Sequence, residues 1–252
     1  MFDLKGQVAV VTAGCDGIGR AAAEALRALG ATVVATSRDG ATAERRTADW
    51  SDDGLTARTL TFETDETNAF FAGLAAELGG VHILVNCAAG RTAGVSVEQT
   101  DAADFAAAVE SGVATAFTCS RAAVTARRDT DIRSIVNVGS IYGVLAVDHR
   151  IYDDPGRQAP IAYACAKGAL VQLTRYLAAY WAPLEVRVNC VSPGGVQRDQ
   201  PPAFVANYAD RVPMGRMAEV GEVAGAIAYL ASPASSYVTG ENIMVDGGLH
   251  AW

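Results

Sequence analysis

The sequence predicts an α/β protein built on one parallel, doubly wound sheet. Short apolar and β-branched runs alternate with longer helical segments along the chain, which is typical of βαβ units. The strand runs are apolar throughout, without alternating polar residues, so we expect helices to cover both faces of the sheet. No repeat or linker-like stretch divides the chain. We therefore predict a single domain over residues 1–252 with about seven strands.

Strand and helix runs can be assigned in chain order. The strands are QVAVVT (7–12), ATVVAT (31–36), ARTLTF (57–62), HILVN (82–86), SIVNV (134–138), VRVNCV (186–191) and NIMVD (242–246). The helices are expected near 18–29, 41–50, 66–78, 101–127, 160–181 and 219–231. The helix over 160–181 is apolar on nearly every side, and a helix of this kind is covered by more than its own sheet. We expect a homo-oligomer, with dense packing inside the chain as the alternative.

The composition and the charge argue against several kinds of partner. Half of the residues are hydrophobic, 19% are charged and the formal net charge is -8, which disfavours nucleic acid and anionic membranes. Five scattered cysteines without a CxxC pair, and three scattered histidines, predict reduced thiols and no metal site. The N-terminal segment has no basic region and no apolar run of the length of a membrane span. We expect a cytoplasmic protein.

A glycine-rich turn joins the first strand to the first helix in VVTAGCDGIGRAAAEAL. Gly14, Gly17 and Gly19 give it a GxxGxG spacing. Glycines let the backbone approach a diphosphate, and the N-terminus of the following helix offers N–H groups and a positive dipole end. The turn predicts a dinucleotide site, although a glycine cluster alone also fits an ordinary tight turn.

The end of the second strand bears on the choice of cofactor. An acidic side chain there commonly binds the adenosine ribose, whereas an arginine accommodates a 2′-phosphate. Ser37 and Arg38 lie at this tip, so we predict NADP(H) as the preferred cofactor, with NAD(H) as the alternative. Asp16 and Asp39 oppose a phosphate, and Arg38 with Asp39 also fits a solvated turn.

Tyr163 and Lys167 in IAYACAKGAL give the strongest indication of catalysis. Only Lys5 and Lys167 are lysines, against 18 arginines, and a Tyr-x-x-x-Lys spacing is expected by chance roughly 0.06 times. Residues i and i+4 share a helix face, and an ammonium can relay a proton, which a guanidinium cannot. A tyrosine with the ordinary pKa of about 10 is a poor base at neutral pH, and a nearby ammonium improves it. Ser140, which closes SIVNVGS, is placed to hold a substrate oxygen.

Several segments together resemble the short-chain dehydrogenase/reductase family in its shorter branch. They are TAGCDGIG, LVNCAAG, VNVGS, YACAK, RVNCVSPGG and ASSYVTGENIMVDGG, and they cover essentially the whole chain. The resemblance implies a Rossmann-type fold, a nicotinamide cofactor, and hydride exchange between a secondary alcohol and a ketone. It also implies a homotetramer, or a dimer, because members of the family usually assemble in these ways.

The resemblance assigns roles to individual residues. Tyr163 is the implied acid/base, Lys167 binds the nicotinamide ribose and tunes the tyrosine, and Ser140 steadies the substrate oxygen. Asn86 is implied on the adenosine side, and Pro193 beside the nicotinamide. The full set of implied cofactor-binding residues is Gly14, Asp16, Gly17, Ile18, Gly19, Ser37, Arg38, Asn86, Ala88, Tyr163, Lys167, Pro193, Gly194 and Val196.

The chain departs from the family pattern at several positions. The replacements are Ala13 for the first glycine of the turn, Cys87 for an asparagine, Ala89-Gly90 for the next glycine, and Phe62 for an acidic residue near adenine. Glu63 or Asp65 can substitute for that acidic residue. Gly112 stands where the family has an asparagine that helps to hold a water in the proton relay to the lysine. We therefore expect the relay to use another route, such as a backbone carbonyl and an extra water.

Two variable segments, at about 141–160 and 193–218, border the expected substrate pocket. The first is longer than in most relatives, and the second is expected to fold over the substrate as a lid. Their hydrogen-bond donors are His149, Arg150, Tyr152, Arg157, Gln197, Arg198 and Gln200. Such loops favour a hydroxylated, sugar-like substrate over a steroid or a long acyl chain. For any one of these residues, a solvated loop without substrate contact is the alternative.

We predict an NADP(H)-dependent oxidoreductase that interconverts a ketone and a secondary alcohol on a small polar metabolite, with a biosynthetic role as one option. Two alternatives remain open. An acyl-thioester (3-oxoacyl) reductase requires a basic patch for its carrier, against which the net charge argues. A catalytically impaired nucleotide-binding or regulatory homologue fits Ala13 and Gly112, whereas the intact Ser140, Tyr163 and Lys167 favour catalysis.

Overall fold

A computed structural model of the chain describes residues 1–50, 54–88, 96–127, 132–152 and 158–252. In this part of the chain, parallel strands form one sheet in the order β3-β2-β1-β4-β5-β6-β7. The strands are β1 (Val8–Val11), β2 (Thr32–Ser37), β3 (Leu55–Thr59), β4 (Ile83–Asn86), β5 (Ser134–Val138), β6 (Arg187–Pro193) and β7 (Asn242–Val245). The strand order reverses between β1 and β4, so the predicted doubly wound α/β fold is confirmed.

Helices cover both faces of the sheet. They are α1 (Gly17–Ala28), α2 (Gly40–Asp49), α3 (Thr64–Leu78), α4 (Ala102–Thr125), α5 (Ile161–Trp181), α6 (Pro202–Ala209) and α7 (Val220–Ala231). Helices α1 and α7 pack in one apolar cluster, and α3, α4 and α5 pack in the other. Neighbouring residues of one strand enter opposite clusters, as Val10 and Val11 do, which explains why the strand runs are apolar without alternation.

The third strand lies earlier in the chain than the predicted run over 57–62. It spans Leu55–Thr59 because it pairs with β2 from Val33 to Ser37, and β2 ends at Ser37. Beyond the last pair, Leu60 N donates to Ser37 O at 2.9 Å, and Phe62 adopts a left-handed φ of +76° that no strand residue has. The apolar run that continues past Thr59 serves the core and not the sheet.

The second variable segment contains a helix that the sequence pattern did not predict. Helix α6 begins with Pro202 at its first position, where a missing N–H costs nothing. None of the helices in the described ranges combines the length and the apolar character needed to cross a bilayer. The carboxyl ends of β1, β4, β5 and β6 lie at one edge of the sheet, and the candidate site is built there.

Candidate active site

The serine, tyrosine and lysine singled out by the sequence lie where β5 ends against α5. Ser140 and Lys167 are buried, with 6% and 4% of their surface exposed, and Tyr163 is half-buried. Lys167 Nζ donates a 2.6 Å hydrogen bond to Val138 O and lies 5.7 Å from the centre of the Tyr163 ring. This bond compensates part of the cost of burying the ammonium. A positive charge therefore stands beside the phenol.

A close approach of backbone holds Ser140 near this pair. Ser140 Oγ accepts a 3.2 Å hydrogen bond from Tyr142 N and caps a short 3-10 turn over Ile141–Gly143. A Cβ placed on Gly143 would lie 2.7 Å from the carbonyl carbon of Lys167. The turn after β5 and the helix that carries the lysine thus touch backbone to backbone, which only a glycine allows.

Tyr142 and Tyr152 lie within electrostatic reach of Tyr163, and Tyr208 lies within reach of those two. The hydroxyl oxygens of Tyr142 and Tyr152 are 3.3 Å apart. Burial raises the pKa of Tyr142 well above its ordinary value, and so do the hydrogen bond to Tyr152 and the nearby phenols of Tyr152, Tyr208 and Tyr163. Burial also raises the pKa values of Tyr152 and Tyr208. These three phenols therefore stay protonated at neutral pH and keep their O–H groups.

Aromatic contacts join the two variable segments over the site. The rings of Tyr152 and Phe204 are 5.3 Å apart, and those of Phe204 and Tyr208 are 6.0 Å apart. Arg211 Nε lies 2.8 Å from Asp148 Oδ2, which adds an ion pair between the same two segments. The sequence pattern indicates Tyr152 but not Tyr142, Phe204 or Tyr208. Their type and their place in the variable segments are the signal that could have found them.

Three of the predicted loop donors bond within the loops themselves. Gln197 Nε2 donates to Arg198 O at 3.1 Å, and Gln200 Nε2 donates to Val196 O at 2.8 Å. Arg150 pairs with Asp148 at 2.8 Å, and His149 is exposed. Arg157 lies outside the described residues.

The glycine turn has the shape that a dinucleotide needs. A Cβ on Gly19 would collide with the carbonyl oxygen of Ala13, and Gly17 has a left-handed φ of +51°. A Cβ on Gly14 would come within 2.8 Å of Ala35 Cβ, so this glycine serves the packing of the turn on β2. Gly17 and Gly19 thus bring no side chain of their own to the start of α1, and this is the feature from which the sequence predicts a diphosphate site.

Side chains fix this turn in place. Thr12 Oγ1 accepts hydrogen bonds from Cys87 N at 2.9 Å and Ala88 N at 3.1 Å, which ties the turn to the segment after β4. Asp16 caps α1, with its Oδ1 accepting from Gly17 N at 2.8 Å. Ile18 follows in the first turn of α1 and packs against the core.

A cavity of about 450 Å³ adjoins the turn on the side of the second strand. Its walls are Ala13, Cys15, Asp16, Thr36, Ser37, Arg38, Asp39, Thr42, Phe62, Ala88, Ser111 and Thr115. Arg46 Nε donates to Cys15 O at 2.9 Å, so a second arginine reaches this wall. Hydrogen bonds from the Thr42 hydroxyl and backbone lower the pKa of Asp39, whose carboxylate caps α2. The cavity therefore has Ser37 and Arg38 in its wall, where the sequence predicts the adenosine end of the cofactor.

The remaining predicted cofactor residues lie across the strand ends. Asn86 is buried, and its Nδ2 donates to Asn137 Oδ1 at 2.9 Å and to Ser120 Oγ at 3.0 Å, so its amide turns into the protein. Pro193 ends β6 beside Val245, and Gly194 approaches Asp246 so closely that a Cβ would lie 3.0 Å from its Cα. Val196 forms a bridge with Ala218 in the loop that follows.

Packing explains the glycine at the asparagine position. A Cβ on Gly112 would lie 2.9 Å from Ala166 Cβ, so α4 and α5 approach too closely there for any larger residue. Lys167 lies next to Ala166 and uses Val138 O as its acceptor. The relay asparagine of the family has no room in this chain, and Ala89-Gly90, which also departs from the pattern, lies outside the described residues.

Comparisons with known proteins bear on what this site does. The sequence profile of a family described as Enoyl-(Acyl carrier protein) reductase matches residues 12–250. The galactitol 2-dehydrogenase (L-tagatose-forming) of Cereibacter sphaeroides is 36% identical over 260 residues, covering 100% of this chain and 98% of that protein. The 3-oxoacyl-acyl-carrier-protein reductase FabG of Vibrio cholerae is 33% identical over 254 residues and covers 99% of each chain. The crystal structure of a short chain dehydrogenase from Leptospira borgpetersenii with bound NAD+ has a TM-score of 0.88 at 29% identity, covering 98% of this chain and 94% of that one.

Proposed function

The chain belongs to the short-chain dehydrogenase/reductase family and is an NAD(P)-dependent oxidoreductase acting on CH–OH groups, and from this premise we propose an NADP(H)-dependent enzyme for a small, hydroxylated, sugar-like ketone or alcohol. The observation that carries the proposal is the buried Lys167 ammonium 5.7 Å from the Tyr163 ring. It lies at the same sheet edge as the glycine turn, and Tyr142 and Tyr152 are within electrostatic reach of Tyr163. We propose that residues 1–252 act as one domain.

The proposed chemistry assigns one task to each residue of the site. When bound, the nicotinamide supplies or accepts the hydride. Tyr163 gives its hydroxyl proton to the substrate oxygen during reduction and takes it back during oxidation. The Lys167 ammonium favours the negative charge that develops on that phenol when the proton leaves. Ser140 donates its hydroxyl hydrogen to the same substrate oxygen and orients it.

The arginines around the adenosine cavity support the choice of NADP(H). Arg38 lies in the cavity wall, and Arg45 and Arg46 act electrostatically on Cys15, which lines the same cavity. Asp39, which opposes a phosphate, is engaged as the cap of α2 through Thr42. A 2′-phosphate at this place would be attracted by these guanidinium groups. The cofactor-binding set predicted from the sequence is kept as part of this proposal.

The tyrosines near Tyr163 support a polar substrate. Tyr142 and Tyr152 offer phenolic O–H groups, and the aromatic wall of Phe204 and Tyr208 suits the C–H face of a sugar-like ring or chain. The similarity to a galactitol dehydrogenase points in the same direction. The similarity to a 3-oxoacyl reductase supports a second candidate, reduction of an acyl thioester. We further propose a cytoplasmic homotetramer, in keeping with the family.

Steady-state kinetics on matched tyrosine variants tests the catalytic assignment. Tyr163→Phe removes the proton donor and is expected to lower kcat by about a hundredfold or more, since general acid catalysis contributes roughly this much. The dissociation constant for NADPH is expected to change less than about twofold, because a phenyl ring keeps the packing. Tyr176→Phe, an exposed tyrosine on the same helix, is the control and is expected to leave both values unchanged.

The substrate panel decides between the candidates. Ketohexoses and hexitols represent the sugar-like class, and acetoacetyl-CoA represents the acyl thioesters, each measured with NADPH or NADP+ and with NADH or NAD+. Turnover confined to acetoacetyl-CoA would replace the sugar-like substrate with the second candidate. An unchanged kcat in Tyr163→Phe contradicts the role of that residue, and cofactor binding without any turnover favours the impaired homologue.

A further inference from the structure

An arginine of the second variable segment lies directly on the glycine turn. A Cβ built on Gly17 would overlap Nη2 of Arg198 and would lie 2.8 Å from its Cζ. The guanidinium therefore occupies the side of Gly17 that a side chain would take, at the first residue of α1. Gly17 lies at the position where the glycine turn is expected to meet the diphosphate of a dinucleotide.

Arg198 also lies within electrostatic reach of a nearby thiol. Burial raises the pKa of Cys87 to about 11, and the charges of Lys167 and Arg198 act in the opposite direction. Cys87 follows β4 and bonds through its N–H to Thr12. The Arg198 guanidinium is therefore close to the glycine turn and within electrostatic reach of Cys87 after β4. The ammonium of Lys167 also acts on Cys87.

The loop backbone holds Arg198 at this place. Arg198 N donates to Gln200 Oε1 at 2.7 Å, and Arg198 O accepts from Gln197 Nε2 at 3.1 Å. Gln197 N donates to Ala218 O at 2.8 Å, which anchors the loop to the segment before α7. Among the residues that the structure describes, Arg198 forms no ion pair within 4 Å. Its charge is available for a ligand.

The positive charge of Arg198 compensates a negative charge at the start of α1. Asp16 caps the helix, and its carboxylate accepts a hydrogen bond from the N–H of Gly17. That negative charge stabilises the helix but repels any anion that approaches the same N-terminus. A guanidinium over Gly17 offsets the repulsion and presents a planar set of donors that matches phosphate oxygens.

We propose that Arg198 binds the diphosphate of the dinucleotide and neutralises the repulsion from Asp16. The inference rests on the nicotinamide cofactor of the proposed function. It assigns contact with the diphosphate to Arg198, which the sequence predicts in the lid over the substrate. Because Arg198 belongs to the segment that contains α6, the bound diphosphate also fixes the start of that segment. The bound cofactor thereby positions the segment that contains α6, which borders the substrate.

Binding of NADPH to arginine variants, followed by its fluorescence and by calorimetry, tests the proposal on the full chain. Arg198→Ala is expected to raise the dissociation constant by about tenfold to a hundredfold, because a charge-assisted pair is lost. Arg198→Lys is expected to recover part of the affinity, since it keeps the charge but not the fork. Arg133→Ala is the matched control: it removes the same charge just before β5, at the amino-terminal edge of the sheet, and is expected to change binding less than twofold.

Two nucleotide probes locate the effect on the diphosphate. ADP contains adjacent phosphates and adenosine contains none, so Arg198→Ala is expected to weaken ADP and to leave adenosine unchanged. Asp16→Asn is expected to tighten ADP, and to restore part of the loss when combined with Arg198→Ala. Equal binding of ADP by wild type and Arg198→Ala overturns the proposal. Tighter binding by Arg198→Ala also overturns it, since the arginine would then be a plug.

The outcome also separates this inference from the proposed function. If the wild-type chain binds neither NADPH nor NADH, the cofactor assignment fails and Arg198 has no diphosphate to hold. If the wild type binds and Arg198→Ala binds equally well, only the inference fails. Circular dichroism melts of each variant check folding, and Arg198→Gln replaces the alanine variant if that variant does not fold.

Discussion

The backbone of Ala13 is held in a strained conformation within the glycine turn. Its φ of +50° is left-handed, where an L-residue with a Cβ costs about 1–2 kcal/mol. Two contacts hold it there: Gly14 N donates to Thr36 O at 3.1 Å, and the bare Cα of Gly19 lies against the Ala13 carbonyl. The family pattern has a glycine at this position, which adopts the same φ without strain.

Ala13→Gly is therefore expected to stabilise the protein. The relief of left-handed strain exceeds the added entropy of the unfolded chain, so we expect the free energy of unfolding to rise by about 0.5–1 kcal/mol. Ala76→Gly, at an exposed position inside α3 with ordinary helical geometry, is the control and is expected to lower it by about 0.5–1 kcal/mol. Urea denaturation measures both. Loss of stability in both variants contradicts the strain at Ala13.

The packing of the turn after β5 against helix α5 positions the active-site residues. Gly143 lies so close to the backbone of Lys167 that a Cβ would lie 2.7 Å from both the carbonyl carbon and the carbonyl oxygen. Backbone atoms on a long helix cannot shift as a flexible side chain does. Any larger residue must push the Ser140 turn away from the helix that carries Tyr163 and Lys167.

Gly143→Ala is expected to damage both stability and catalysis. Overpacking at this contact costs about 1–3 kcal/mol of unfolding free energy, and displacement of Ser140 lowers kcat by about tenfold or more. Gly73→Ala is the matched control, because a Cβ there meets nothing within 4 Å and α3 gains helix propensity. We expect that control to stabilise by about 0.5–1 kcal/mol with unchanged kcat. Wild-type kinetics in Gly143→Ala would show that the turn adapts.

Comparison of these two glycines shows what the sequence can predict. Gly143 and Gly73 look alike in the sequence, and only the folded chain shows that one meets backbone and the other meets solvent. Tyr163 and Lys167 can be singled out as catalytic candidates from the sequence because their spacing is local and lysine is rare. The contact of Arg198 with Gly17 joins distant segments, so no local pattern indicates it.

Some of the strands and helices can be predicted from the sequence, and others cannot. Continuous apolar runs identify the central strands, because a sheet covered on both faces buries every side chain of β1, β4 and β5. The third strand was misplaced because its length depends on the end of its partner β2, which lies far away in the sequence. Helix α6 was missed because its apolar residues pack on the first variable segment, through rings such as Phe204 on Tyr152, and not on the sheet. The family and the fold class, which rest on many segments at once, are confirmed.

At the scale of the whole molecule, helix α5 faces two ways. Its buried side holds Lys167 against β5, and its outer side is exposed. Tyr176 and Tyr180 are 64% and 67% exposed, and their rings stack 6.1 Å apart. On the neighbouring helix α4, Phe117 is 42% exposed. Exposed aromatic side chains grouped on one face are typical of an interaction surface.

We expect this face to bury against a second copy of the chain and to brace the catalytic helix in the proposed homotetramer. Sedimentation velocity is expected to give a wild-type tetramer, and Tyr176→Asp/Tyr180→Asp is expected to give a smaller species, since unpaired carboxylates resist burial. Phe2→Asp, an exposed apolar position in the N-terminal segment, is the control and is expected to stay tetrameric. Because α5 also carries Tyr163, we expect the smaller species to melt earlier and to lose kcat. A monomeric wild type, or a double variant that assembles as the wild type does, contradicts an interface on this face.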